Sequence, residues 1–134
     1  TTAGGAARIA DALKRHKPSV VVIELGANDG LRGLPLAQTR AHLAKMIAAA
    51  KSANAKVLLI GMRLPPNYGP DYTKQFEQIF RDLSQQQKTA FLPFLLQPIA
   101  MDDRAFQADR LHPVASAQPK LRDHVWPALV PLLK

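Results

Sequence analysis

The run Val20-Val21-Val22-Ile23-Glu24-Leu25 narrows the possible folds more than any other part of this chain: five of its six residues are apolar and most are β-branched. A run of this kind reads as a short strand buried on both faces, as in a parallel sheet, rather than the alternating strand of a half-solvated one. It passes straight into Gly26-Ala27-Asn28-Asp29-Gly30, a turn that sets Asn28 just beyond the carboxyl end of the strand. In open α/β sheets that end is where ligands bind.

The rest of the chain alternates helix and strand around this segment. Ala6 to Arg15 places Ile9, Ala12 and Leu13 on one helical face and gathers basic residues toward its end, where the helix dipole favours them. Lys17-Pro18-Ser19 stops that helix, and strand Val20–Leu25 follows. Pro35 suits a first helical turn, and Leu36 to Ala53 is an Ala-rich helix with Leu36, Leu43, Met46, Ile47 and Ala50 on one face. Lys56–Met62 reads as a second buried strand, and Arg63–Pro70 as a loop holding Pro65, Pro66 and Pro70. Asp71 is placed to cap the next helix, whose stripe of Tyr72, Phe76, Ile79, Phe80 and Leu83 reads as core packing. Ala90–Leu95 is a third strand, and Pro93 within it assigns it to the sheet edge. After an irregular stretch, Ser116 is placed to cap a final helix running to about Leu133, kinked or interrupted by Pro127. The pattern is α/β with a parallel sheet and right-handed crossovers. No repeat or linker divides residues 1–134, which read as one domain.

Composition excludes several classes of function. With 47% hydrophobic and 21% charged residues the chain is ordinary globular protein. No apolar run approaches the roughly 20 residues that a bilayer span needs, so stable membrane insertion is not expected. The formal charge of +8 favours anionic partners in general. The cations are dispersed, however, and 6% aromatic content offers few stacking platforms, so nucleic acid is not the expected partner. His16, His42, His112 and His124 show no metal-ligand spacing, and there is no cysteine from which to read a redox compartment.

A second polar cluster, Asp109-Arg110-Leu111-His112-Pro113, lies near the far end of the chain. In a catalytic reading Asp109 accepts a hydrogen bond from one imidazole nitrogen of His112, fixing the tautomer and leaving the other nitrogen free to act as general base. Asn28 would then supply a neutral N–H donor to an oxyanion. Each element alone has a plainer reading: Asp-x-x-His as a structural histidine near a helix start, Asn-Asp-Gly as a simple turn. Their joint occurrence at the carboxyl ends of successive α/β elements favours chemistry.

Gly26-Ala27-Asn28-Asp29 and Asp109-Arg110-Leu111-His112 resemble the third and fifth conserved blocks of the SGNH (GDSL) hydrolases. Glu24–Gly33 and Arg63–Gly69 are similar to the bacterial acyl-CoA thioesterase I, lysophospholipase L1 and arylesterase group, and the likeness covers essentially the whole chain. The resemblance implies a flavodoxin-like, three-layer α/β/α domain that hydrolyses ester or thioester bonds of small-molecule or lipid substrates, without metal or cofactor. It implies His112 as base, Asp109 as its orienting acid and Asn28 as oxyanion-hole donor. Leu31, Met62, Arg63 and Leu64 would line an acyl-binding groove, although loop packing accounts for them equally well. Members of the group are often exported, which implies a periplasmic or secreted location.

The family also uses a serine in an N-terminal Gly-Asp-Ser block and a glycine in a second block. None of Ser19, Ser52, Ser84 and Ser116 follows Gly-Asp, and Thr1-Thr2 resembles the tail of the second block. The expectation is therefore an N-terminally truncated domain lacking its first two strands and first helix, on the order of 40 residues. Val20–Leu25 would then be an open edge suited to self-association or to a complementing N-terminal segment. Three alternatives stay open: an inert fragment of such a hydrolase, an N-terminal nucleophile at Thr1, and a non-catalytic flavodoxin-like binding module.

Overall fold

The computed structural model describes residues 1–134. Three strands, β1 (Val20–Ile23), β2 (Lys56–Ile60) and β3 (Ala90–Leu92), form one parallel sheet in the order β1-β2-β3. Val21 pairs with Val57 and Leu59 with Phe91 in its register. Five α-helices connect and cover the strands: α1 (Thr2–His16), α2 (Ala27–Leu31), α3 (Leu36–Ser52), α4 (Pro70–Gln86) and α5 (Gln118–Leu129). The α/β class and the parallel sheet expected from the sequence are both present.

The side-chain alternation of the strands sorts the core into two layers. Ile23, Val57 and Leu59 face α1, α3 and α4, where they pack against Leu13, Leu43, Met46, Ile47, Phe76 and Phe80. Phe76 and Phe80, one helical turn apart, meet edge-to-face at 5.3 Å. The stripes read from α3 and α4 are thus the core faces of those helices. Leu58, Ile60 and Leu92 point the other way, toward Val125, Ala128 and Leu129 of α5.

This second layer corrects one expectation. Strand β1 is not buried on both faces. It lies at the sheet edge, and Val22, in register with the fully buried Leu58, remains 44% exposed. The physical reason is that α5 packs over β2 and β3 and stops short of β1. Composition reports that a strand is apolar, but not how far the covering helix reaches.

Other differences concern element ends. β1, β2 and β3 each finish two or three residues before the apolar run does, because the chain turns away toward the cleft described below. α4 begins at Pro70 with Gly69 as its cap, so Asp71 lies in the first turn, where it complements the dipole without capping. Ser116 sits inside a 3-10 turn, Ala115–Ala117, and makes no capping bond to α5. Pro127 is accommodated within α5, which continues to Leu129 before tightening into a 3-10 turn over Val130–Leu133. β3 is an edge strand, with Pro93 immediately after it. No helix is long and apolar enough to cross a membrane.

Candidate active site

After β1 the backbone must reverse sharply, and Gly26 does so at φ 119°. That conformation suits glycine, and a β-carbon there would also come to 3.0 Å from the Phe80 ring. Gly26 is the N-cap of α2, so the segment read as a plain turn is a single turn of helix. Helical geometry advances successive side chains by about 100°. Asn28 is therefore left exposed at the mouth of a cleft, while its neighbour Asp29 is directed into the protein and is 2% exposed.

A buried carboxylate is costly unless its oxygens are paired. Asp29 Oδ1 accepts the backbone N–H of Thr2 at 2.8 Å, and Oδ2 accepts the Thr2 hydroxyl at 2.5 Å and the Thr39 hydroxyl at 3.4 Å. Because the Thr2 hydroxyl donates to Asp29, it accepts from Nδ1–H of His42, 3.1 Å away. α1 has no acidic residue in its own first turn, and Asp29 supplies the negative charge that its N-terminus favours. The helix carrying Asn28 is thereby pinned to α1 and α3. Burial, and secondly the charge of Asp29, raise the Tyr72 hydroxyl above the usual tyrosine range. That hydroxyl donates to the Leu34 carbonyl at 3.0 Å. Sequence reasoning did not find the Asp29 network, whose partners lie 27 and 10 residues away.

Asp109 and His112 are assembled by local geometry. Phe106 and Pro113 form an antiparallel bridge, and Gln107 N–H donates to the His112 carbonyl at 2.8 Å. Within this small hairpin Asp109 Oδ1 accepts the amides of Leu111 and His112 at 2.9 and 3.0 Å. Its Oδ2 lies 2.6 Å from His112 Nδ1. Hydrogen bonding to the His112 ring, followed by the two amides, lowers the Asp109 carboxyl to about 2. With Nδ1 engaged by a carboxylate, Nε2 of the neutral ring is left as an acceptor.

The two assemblies meet at one cleft of about 620 Å³, lined by both Asn28 and His112. Leu31, Met62, Arg63 and Leu64, the four groove residues expected from the sequence, line it as well, together with Phe94, Leu95 and Leu111. Two of the four also have structural work. Leu64 is buried and reaches the space a β-carbon on Gly30 would take, and Arg63 pairs with Glu77 at 2.8 Å while lying 5.2 Å from the centre of the Phe94 ring. Asp109 stands behind His112 rather than in the cleft wall. Glu24 lines the cleft at the end of β1, and desolvation raises its carboxyl above the usual range. None of the serines lines the cleft; its hydroxyl-bearing residue is Thr1, whose Oγ1 accepts the Gly4 N–H as the N-cap of α1.

A parallel sheet covered by helices on both faces thus carries a carboxylate-oriented histidine and an asparagine together at its carboxyl edge. Residues 1–118 match the model of the GDSL-like lipase/acylhydrolase family, and the chain belongs to that family. It is similar to Esterase TesA of Pseudomonas aeruginosa (49% identical over 133 residues, 99% of this chain and 66% of that protein). Thioesterase 1/protease 1/lysophospholipase L1 of Escherichia coli K12 is 38% identical, over 99% of this chain and 64% of its own length. Among solved structures, that of TesA superposes with a TM-score of 0.95 at 48% identity, covering 98% of this chain and 73% of the other. The psychrotrophic esterase EstA from Pseudoalteromonas sp. gives 0.94 at 36% identity, with 99% and 73% covered. The chain thus spans just under two thirds of the length of the curated relatives it matches.

Proposed function

We propose that these residues form the base and oxyanion half of a carboxylic ester or thioester hydrolase site. The observation that carries this reading is the 2.6 Å contact between Asp109 and His112 Nδ1, on a ring that lines the same cleft as Asn28. His112 Nε2 takes the proton of a hydroxyl nucleophile as it attacks the substrate carbonyl. The tetrahedral oxyanion is stabilised by the Asn28 side-chain N–H, and His112 then returns the proton to the departing alcohol or thiol. Asp109 holds the ring in the acceptor tautomer and balances the charge of the imidazolium.

The family relationship supports a serine as nucleophile. No serine among residues 1–134 reaches the cleft, so this reading places the serine on a segment outside them. The apolar wall of Leu31, Met62, Leu64, Leu95 and Leu111 suits an acyl chain. The activities named for the relatives, an esterase and a thioesterase/lysophospholipase, agree with acyl ester and thioester substrates.

The test is turnover of p-nitrophenyl butyrate measured beside an intact mass. Turnover by a polypeptide larger than 14.7 kDa that His112→Ala removes supports the assignment. Turnover at 14.7 kDa that survives His112→Ala contradicts it and turns attention to Thr1, the other hydroxyl in the cleft.

A further inference from the structure

The hairpin that carries the base contains a residue its backbone does not suit. Arg110 N–H donates to the Gln107 carbonyl at 2.8 Å, closing a tight turn, and Arg110 itself stands at φ 57°. The left-handed position of such a turn is most cheaply filled by glycine, which has no β-carbon to clash. The other non-glycine residues at positive φ are Lys17, Asn54 and Lys88. Each follows the last turn of a helix, where a left-handed residue is ordinary. Arg110 has no such reason. A side chain kept at a strained backbone position beside a site is evidence for a role of that side chain.

Its surroundings indicate the role. Arg110 lines the cleft next to Leu111 and His112. The other guanidinium there, Arg63, is committed to Glu77 and lies over the Phe94 ring, whereas Arg110 makes no ion pair. The nearest carboxylate in sequence, Asp109, is already filled by the His112 ring and two amides. Glu24, the carboxylate lining the cleft, is not within ion-pair distance of Arg110. The cleft therefore presents an unpaired, permanently charged fork beside the base.

We propose that Arg110 is a specificity-determining residue, forming a subsite for an oxyanion group, a carboxylate or a phosphate, carried by the ester or thioester substrate. This rests on the acyl-hydrolase reading of the cleft, and the two are separable. Ligand binding is followed through the amide signals of Leu111 and His112, with octyl phosphate, octanoate and octanol as probes. These need no nucleophile, so they read binding apart from turnover. The expected result is that the two anions bind about tenfold more tightly than octanol, a charge-assisted bidentate contact being of that order. Arg110→Gly, which suits the left-handed backbone and should raise the melting temperature, loses that preference but still binds octanol. Arg110→Lys recovers part of it, and added salt weakens it. A stronger response to octyl phosphate than to octanoate assigns a phosphate-bearing substrate, and the reverse assigns a carboxylate.

Octanol binding with no anion preference, or a preference that persists in Arg110→Gly, overturns the subsite and leaves the acyl cleft standing. If none of the three probes moves the cleft signals, the acyl cleft falls and the subsite falls with it.

Discussion

Two aspartates flank the candidate site and do the same kind of work in opposite settings. Asp29 is 2% exposed and reaches partners on α1 and α3, so that the turn bearing Asn28 is tied to the core. The Asp109 side chain is 43% exposed and its hydrogen bonds stay within its own hairpin, to Leu111 and His112. One carboxylate builds the platform, while the other orients the His112 imidazole, the base of the proposed site. Burial decides the difference. In the low-dielectric interior an unmatched donor or acceptor carries a heavy penalty, whereas in water the same pairing governs orientation more than stability. Loss of Asp29 should therefore appear first as unfolding, and loss of Asp109 first as lost chemistry.

The largest effect belongs to the exposed pair. On the proposed function, His112→Ala should lower kcat for ester hydrolysis by roughly 10³-fold or more, and Asp109→Asn by roughly 10²- to 10⁴-fold by loosening the tautomer. Both variants should unfold close to the parent temperature in a thermal melt. A large drop in melting temperature for either would erase the distinction drawn here.

The next effect belongs to the buried carboxylate. Asp29→Ala strands the Thr2 amide and hydroxyl and should cost about 2–4 kcal/mol in a urea titration. Asp29→Asn keeps an acceptor but loses the charge at the α1 N-terminus, so its cost should be about half as large. Thr39→Val, which removes only the 3.4 Å bond to Asp29, should cost under about 1 kcal/mol. If Asp29→Ala melts like the parent, the platform is held by packing alone and the network is incidental.

A smaller effect concerns acid. The Asp109 carboxyl is lowered from 3.8 to about 2, so its contribution is complete above the higher value and disappears as pH falls through the lower one. The protection of the Leu111 and His112 amides, taken relative to their intrinsic exchange rates at each pH, should persist from neutral pH to about pH 4 and fall toward pH 2. Loss of protection already at pH 5 would mean that the loop is ordered by something other than Asp109.

The same contrast explains what was legible in the sequence. Asp109 and His112 lie three residues apart, and a contact at that spacing is written in the local order of residues. So were the strands, the α3 and α4 core faces, and the gathering of Asn28, Leu31, Met62, Arg63 and Leu64 at the strand ends. Asp29 could not be read because its partners, Thr2 and Thr39, acquire meaning only after α1 and α3 pack. The exposure of Val22 was hidden for the same reason, since it depends on where α5 ends over the sheet. The positive φ of Arg110 was not legible either, because the hairpin turn sets it and not the residue type.

The most direct measurement is the protonation of the two ring nitrogens of His112, read by ¹⁵N NMR above the pH at which the ring becomes neutral, in the parent chain and in Asp109→Asn. One dominant tautomer is expected in the parent, with the proton on Nδ1 and Nε2 bare toward the cleft, giving way to a mixture in the variant. The same mixture in both proteins, or a proton resident on Nε2 in the parent, would contradict the claim that Asp109 aims His112 for base catalysis.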